Sequence, residues 1–390
     1  MPSHISGQPG LLIRDSLEYS DAVLVIPPSL VGCLVFFDGV RTSLDLHAEL
    51  ARLAGTSEIG DAAQLLTDRL SEAGFLENEV YARLKESRHS AFRRSAVRKA
   101  AYAGRSYPAE IDPLREVMRK YLGAAVAPST KNRVIGIAAP HASPEHAWQS
   151  YQAAYQWLTP DKRDRTFVVL GTSHYGAPDK FGLTRKPFET PFGKTRIDDA
   201  LVSELEGQPA VLMEDYCHAV EHSIEFQVVF LQSVYGPDVR ILPILCGSFA
   251  SSIEDGHLPE EEDSVKRFLG AIGEIAAREA SRLFWVLGID MAHMGRRYGD
   301  QFTARTGLDE MVRVEERDRL RIERINSSDA RGFWELVTEN KDDLKWCGSS
   351  PVYTFMKAVP AKRGELHRYD QWNIDEESVV SFAGMSFVSD

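Results

Sequence analysis

Three apolar runs in this chain each stop at a residue able to bind or service a metal. Val134 to Pro140 runs into His141, Phe167 to Ser173 into His174, and Leu283 to Ile289 into Asp290, with His293 three residues further on. Runs of this length, apolar at nearly every position, suit strands covered on both faces, as in a parallel sheet. Ligands of open α/β sheets sit in the crevice beyond the carboxyl ends of the strands. Residues far apart in sequence are therefore expected to meet at one site.

The 390 residues are ample for a large core, and 43% hydrophobic with 26% charged is a globular balance. A net charge of -12 argues against nucleic-acid binding. The four cysteines (Cys33, Cys217, Cys246 and Cys347) form no C-x-x-C pair, so a cytoplasmic protein is expected. No signal peptide or membrane span is read. The apolar stretch Ala22 to Phe37 is short and broken by Pro27-Pro28.

The first section, residues 1–84, reads as a small winged-helix domain. A strand at Ala22–Ile26 leads to a helix-like stretch, Leu30 to Phe37, and a turn at Asp38-Gly39. Thr42 or Ser43 is expected to cap a helix with a Leu44, Leu46, Leu50, Leu53 stripe. A second helix carries Ala63, Leu65, Leu66 and Leu70 and stops at Gly74, and Phe75-Leu76 is expected to open a strand. Arg83, Lys85, Arg88, Arg93, Arg94, Arg98 and Lys99 form a basic stretch, read as a solvated linker over residues 85–96. Residues 97–390 then alternate strand and helix, which predicts an α/β fold with a central, mostly parallel sheet flanked by helices.

Several residues could carry chemistry. One histidine at a strand end is ordinarily a hydrogen-bonded core residue, but His141 and His174 occupy equivalent ends. Cys347 precedes Gly348-Ser349-Ser350-Pro351, a helix entry, where a thiol is biased toward thiolate; a buried free cysteine is the plainer alternative. His222 and Glu225 are three apart, so they are expected to share a helix face as a ligand-orienting or proton-moving pair. Asp290 and His293 could form an acid/base pair, or be a capping Asp and a surface His. Cys217-His218 reads as incidental and Cys246 as core.

Taken in order, these segments resemble the Memo family, the "B" component of the AmmeMemoRadiSam gene set. The resemblance is carried by Ala103-Gly104-Arg105-Ser106-Tyr107-Pro108, Ala139-Pro140-His141-Ala142 and Gly171-Thr172-Ser173-His174. It continues in Glu221-His222-Ser223-Ile224-Glu225-Phe226-Gln227, Leu242-Pro243-Ile244-Leu245, Asp290-Met291-Ala292-His293 and Cys347-Gly348-Ser349-Ser350-Pro351. It implies a fold similar to class III extradiol dioxygenases, with a metal held by His141, His174 and Cys347 and with catalytic positions at His222, Asp290 and His293. Ser143 stands where the family usually has Gly, and Gly288-Ile289 where it usually has Ser-Ser, so the substrate is not carried over.

The first section resembles PqqD-like domains, winged-helix folds that bind leader peptides, through Asp38-Gly39-Val40-Arg41-Thr42 and Glu72-Ala73-Gly74-Phe75-Leu76. The resulting expectation is an iron-dependent redox enzyme using dioxygen on a peptide or protein substrate recruited by that domain, with a radical-SAM protein as partner. Fe(II) is preferred on the relationship to the dioxygenases, and copper and zinc stay open. The alternative is a non-catalytic, metal-binding scaffold.

Overall fold

A computed structural model describes residues 9–123, 134–360 and 362–389; the first eight residues of the expected N-terminal domain lie outside that range. The chain divides into two compact units, Met1–Arg94 and Ser95–Asp390.

In the first unit, β1 (Leu11–Arg14) pairs antiparallel with β2 (Val23–Ile26). A short helix, Pro28–Val31, runs into a 3-10 helix, Gly32–Phe36, where a helix-like stretch was expected. Three longer helices follow: α1 (Ser43–Ala54), α2 (Ala62–Glu72) and α3 (Glu79–Arg94). Thr42 is the residue that caps α1, in a capping box with Asp45, and Gly55 closes the helix in the left-handed conformation. Leu46, Leu50, Leu66 and Leu70 are buried in the unit's small core, whereas Leu44, Leu53 and Leu65 of the expected stripes are exposed. The strand expected at Phe75-Leu76 is not formed. The basic stretch is helical through Arg94 as α3, tied within its unit by the Tyr19 hydroxyl to His89 Nε2 at 2.9 Å and by Arg88 to Asp21. Arg98, counted in that stretch, is instead buried in the second unit.

The second unit is built on a ten-stranded sheet. Its strands are β3 (Val134–Ala139), β4 (Thr166–Thr172), β5 (Phe181–Leu183), β6 (Arg196–Ile197), β7 (Val211–Met213) and β8 (Arg240–Cys246). They continue with β9 (Leu283–Gly288), β10 (His293–Gly295), β11 (Lys362–Asn373) and β12 (Ser378–Ser389). The spatial order is β7-β5-β8-β4-β9-β3-β12-β10, with β11 on β12 and β6 on β8. The central strands β8, β4, β9 and β3 are mutually parallel, and β12 joins β3 antiparallel.

Strand periodicity sends alternate side chains to opposite faces. Val168, Leu170, Leu283, Trp285 and Leu287 enter one core, while Phe167, Val169, Phe284 and Val286 enter the other. Helices α4 (Ile111–Leu122), α5 (Pro144–Tyr155) and α6 (Ser223–Tyr235) contribute to the second core. Helices α7 (Asp263–Arg278), α8 (Asp309–Asn326), α9 (Ala330–Thr338) and α10 (Ser349–Ala358) contribute to the first. Double coverage explains why the strands lack an apolar–polar alternation. Truncating a wholly buried strand residue such as Leu170 to Ala is expected to cost about 2–5 kcal/mol.

Candidate metal centre

β9 lies between β4 and β3, so the three apolar runs of the sequence are neighbouring strands. Gly288 is in register with both Gly171 of β4 and Ala139 of β3. Counting two residues on from each, Asp290 is level with His141 and with Ser173, and His174 is one step beyond.

The fourth contribution comes from the start of α6, with His222 at the N-cap. The helix is fastened to both His-bearing loops: Ser223 Oγ donates to Thr172 O at 2.8 Å and Gln227 Nε2 to Pro140 O at 2.7 Å. Two glycines permit this approach. A Cβ on Gly171 would meet Ser223 Oγ at 2.5 Å and Ile224 Cγ1 at 2.6 Å, and one on Gly288 would run into the Ser223 carbonyl oxygen.

His141, His174 and His222 each offer a ring nitrogen within 4.8 Å of the others'. The rings of His174 and His222 stack at 5.2 Å between centroids, and His141 stands edge-on to both, at 5.0 and 5.1 Å. His141 Nδ1 lies 3.0 Å from Gly288 O, an acceptor only, so Nδ1 carries the proton and Nε2 keeps its lone pair for the cluster. His174 Nδ1 lies 2.9 Å from Glu221 Oε2, which turns its Nε2 to the cluster; burial works to lower its pKa, but Glu221 and Cys347 outweigh that and raise it well above the ordinary histidine value, so a bound metal would displace the Nε2 proton. Cys347 Sγ sits 3.3 Å from His141 Nε2. Burial works to raise its pKa, but His141 and His174 outweigh that and bring it down to about 7.

Asp290 closes the strand-end turn through Oδ1, which accepts from the His141 and Ala142 amides at 3.0 and 3.1 Å. Its Oδ2 is 3.5 Å from His141 Nε2. Burial pushes its carboxyl up to about 6, against the pull of His293 and these amides. Burial likewise lowers His293, with Asp290 opposing. His293 Nδ1 is held by the carbonyls of Met291 (2.9 Å) and Lys345 (3.1 Å), so Nε2 is its proton acceptor. Burial lowers His222 well below the ordinary histidine value, and the neighbouring His141 and His174 add to this, so its imidazole is neutral at pH 7.

The structure therefore gathers His141, His174, His222, Asp290 and Cys347 around one point. It separates His222 from Glu225. The Glu225 carboxylate is fully buried and faces away, accepting from Arg98, the Ala101 and Tyr102 amides and the Tyr107 hydroxyl. That network clamps the Ala103–Pro108 motif region onto α6. Glu221 is the carboxylate that supports a site histidine, and its signal was the adjacent Glu-His pair. Tyr102 and Tyr298 were also not foreseen: their rings lie 5.3 Å from His222 and 5.0 Å from His293. Cys246 is core, as its sequence context indicates. A cavity of about 890 Å³, lined by Leu269, Gly273, Trp285 and Val359 among others, lies by the opposite ends of the strands, and no His or Cys lines it.

The donor set is what an intermediate-to-soft transition metal requires: imidazoles grouped on one point and a thiol already biased toward thiolate. A MEMO1 family protein of Aquifex aeolicus is 26% identical over 386 residues, covering 96% of this chain and 95% of its own length. Family proteins of Methanopyrus kandleri (28%) and Ignicoccus hospitalis (29%) each cover 98% of their own length but only 74% and 75% of this chain. What these two leave unmatched is comparable in length to the first unit. The family model for Memo-like proteins matches residues 98–386, which takes in the central sheet up to the last three residues of β12 and all the residues of the cluster. The chain belongs to the Memo-like protein family.

Proposed function

We propose that this chain is a non-haem iron oxidoreductase that uses dioxygen, with His141, His174 and Cys347 as the metal-holding residues. The observation that carries the reading is the Cys347 thiol set against His141 Nε2 within a cluster of three imidazoles. A thiolate there binds metal and balances part of its charge. Bound Fe(II) would supply redox chemistry and open positions for dioxygen and a substrate. The protein's own residues do the rest. Neutral His222 binds a substrate oxygen beside the cluster. His293, its Nδ1 fixed by two carbonyls, accepts a substrate proton at Nε2. Asp290 holds the His141 turn, and its raised pKa lets it trade a proton near neutral pH. The first unit, on its likeness to PqqD-like domains, recruits a peptide or protein substrate.

The test is oxygen uptake by anaerobically Fe(II)-loaded protein against a panel of peptides and small phenols. The proposal expects uptake above that of metal-free protein, and its loss in His293→Gln with iron retained. Uptake no greater than that of metal-free protein across the panel would favour the scaffold reading.

A further inference from the structure

The cluster's two later loops, Asp290–His293 and Lys345–Gly348, are not held by the sheet alone. Both are tied to one carboxylate on α8. Asp318 is fully buried and takes three donors: Trp346 Nε1 at 2.5 Å on Oδ1, with Tyr369 Oη at 2.8 Å and Ser381 Oγ at 2.6 Å on Oδ2. Trp346 immediately precedes Cys347, and its ring is faced by the Arg321 guanidinium at 5.3 Å. Arg321, one turn along α8, is itself paired with Asp342 at 2.9 Å. Ser381 Oγ in turn accepts from the Ala292 amide at 2.8 Å, and the Ser381 backbone brackets the same loop through Met291 N and Ala292 O.

We infer that Asp318 is a positioning residue that fixes Cys347 relative to Asp290 and His293. One arm runs through the Trp346 indole to the cysteine, and the other through Ser381 to the loop carrying the acid/base residues. The inference rests on the reading of Cys347 and His293 as site residues, but not on the identity of the metal. An apolar residue at 318 would leave three buried donors unsatisfied, and even Asn offers one acceptor oxygen where the carboxylate offers two. Trp346 cannot rotate its donor away, so its arm is the sensitive one.

The test uses metal-free full chain at one fixed pH above about 9, where a displaced Cys347 is also largely ionised, so the rate reads access and the test can fail independently of any metal chemistry. Cys347 is the half-buried thiol, while Cys33, Cys217 and Cys246 are buried. Alkylation by iodoacetamide, read per cysteine by peptide mass, therefore reports the freedom of the Cys347 loop. Trp346→Phe, and Asp318→Leu, which removes the acceptor altogether, should each raise Cys347 alkylation roughly tenfold or more, the order set by losing one hydrogen bond to a charged acceptor. The double variant should add little to the larger single effect. Ser381→Ala, on the other arm, should leave Cys347 within about twofold of wild type, since its bonds reach the other loop. Rates at the other three cysteines should not change. Equal acceleration at all four cysteines would mean general loosening and would overturn the positioning role, as would an unchanged Cys347 rate in Trp346→Phe. Trp346→Phe carries the test if Asp318→Leu does not fold.

Discussion

Glu221→Gln should damage the metal centre by turning over one imidazole. The Glu221 carboxylate is buried, and both its oxygens serve His174: Oε1 accepts from the backbone amide at 2.5 Å and Oε2 faces Nδ1 at 2.9 Å. A glutamine has one acceptor and one donor in their place. The backbone amide can only donate, so the glutamine oxygen must stay on it and the NH2 must turn to Nδ1. His174 then has to accept at Nδ1 and carry its proton on Nε2, the nitrogen offered to the cluster. Losing such a carboxylate–histidine partner typically costs 10- to 100-fold in metal affinity, about 1.4–2.7 kcal/mol. The assay is competitive titration of Fe(II), or of Co(II) as a stable surrogate, with thermal melts of the metal-free protein alongside. Affinity within about twofold of wild type, with the melt unchanged, would refute the tautomer argument.

Other outcomes follow from the same geometry. Gly288→Ala drives a methyl into the Ser223 carbonyl, so α6 must lift; at least about 1–3 kcal/mol of stability should go, with metal affinity falling in the same variant, and a wild-type melt would contradict it. Glu225→Ala leaves Arg98 buried without its counter-charge and should cost about 3–5 kcal/mol in a denaturant titration. Burial works to raise Asp198, but Thr166, Arg282 and the Leu201 amide together hold it below the ordinary carboxylate value. Its stabilisation is thus present above the unfolded value of about 4 and lost as the pH falls toward the lower folded value. Asp198→Asn should flatten that part of the acid limb, and an unchanged limb would remove Asp198 from the account.

Much of this site was legible because buried parallel strands leave a strong mark. Runs such as Phe167–Leu170 are apolar without alternation, and the residues that end them are where the chain turns into the crevice. The likeness of ordered motifs then brought His141, His174, Asp290 and Cys347 to one place. Spacing misled where it put His222 and Glu225 on one helix face. α6 begins at Ser223, with His222 as its cap, so Glu225 turns to Arg98 rather than sharing work with His222. β11 was invisible because Lys362–Asn373 is polar and charged, which suits a strand paired only along β12. The expected strand at Phe75-Leu76 rested on a winged-helix pattern, whereas the first unit forms its two-stranded sheet ahead of its helices, through the unread strand Leu11–Arg14. Asp318 sits in a run of charged residues whose spacing does not set it apart, and it is marked only by the convergence of Trp346, Tyr369 and Ser381 on it.

The central claim is that Cys347 and the strand-end histidines hold a metal. Its most direct test is elemental analysis of wild type and Cys347→Ser, purified side by side without oxygen. The account predicts iron approaching one per chain in wild type, about the stoichiometry of one closed ligand cluster, and most of it lost in the variant. Equal iron in both proteins, or none in wild type after Fe(II) reconstitution, would contradict it.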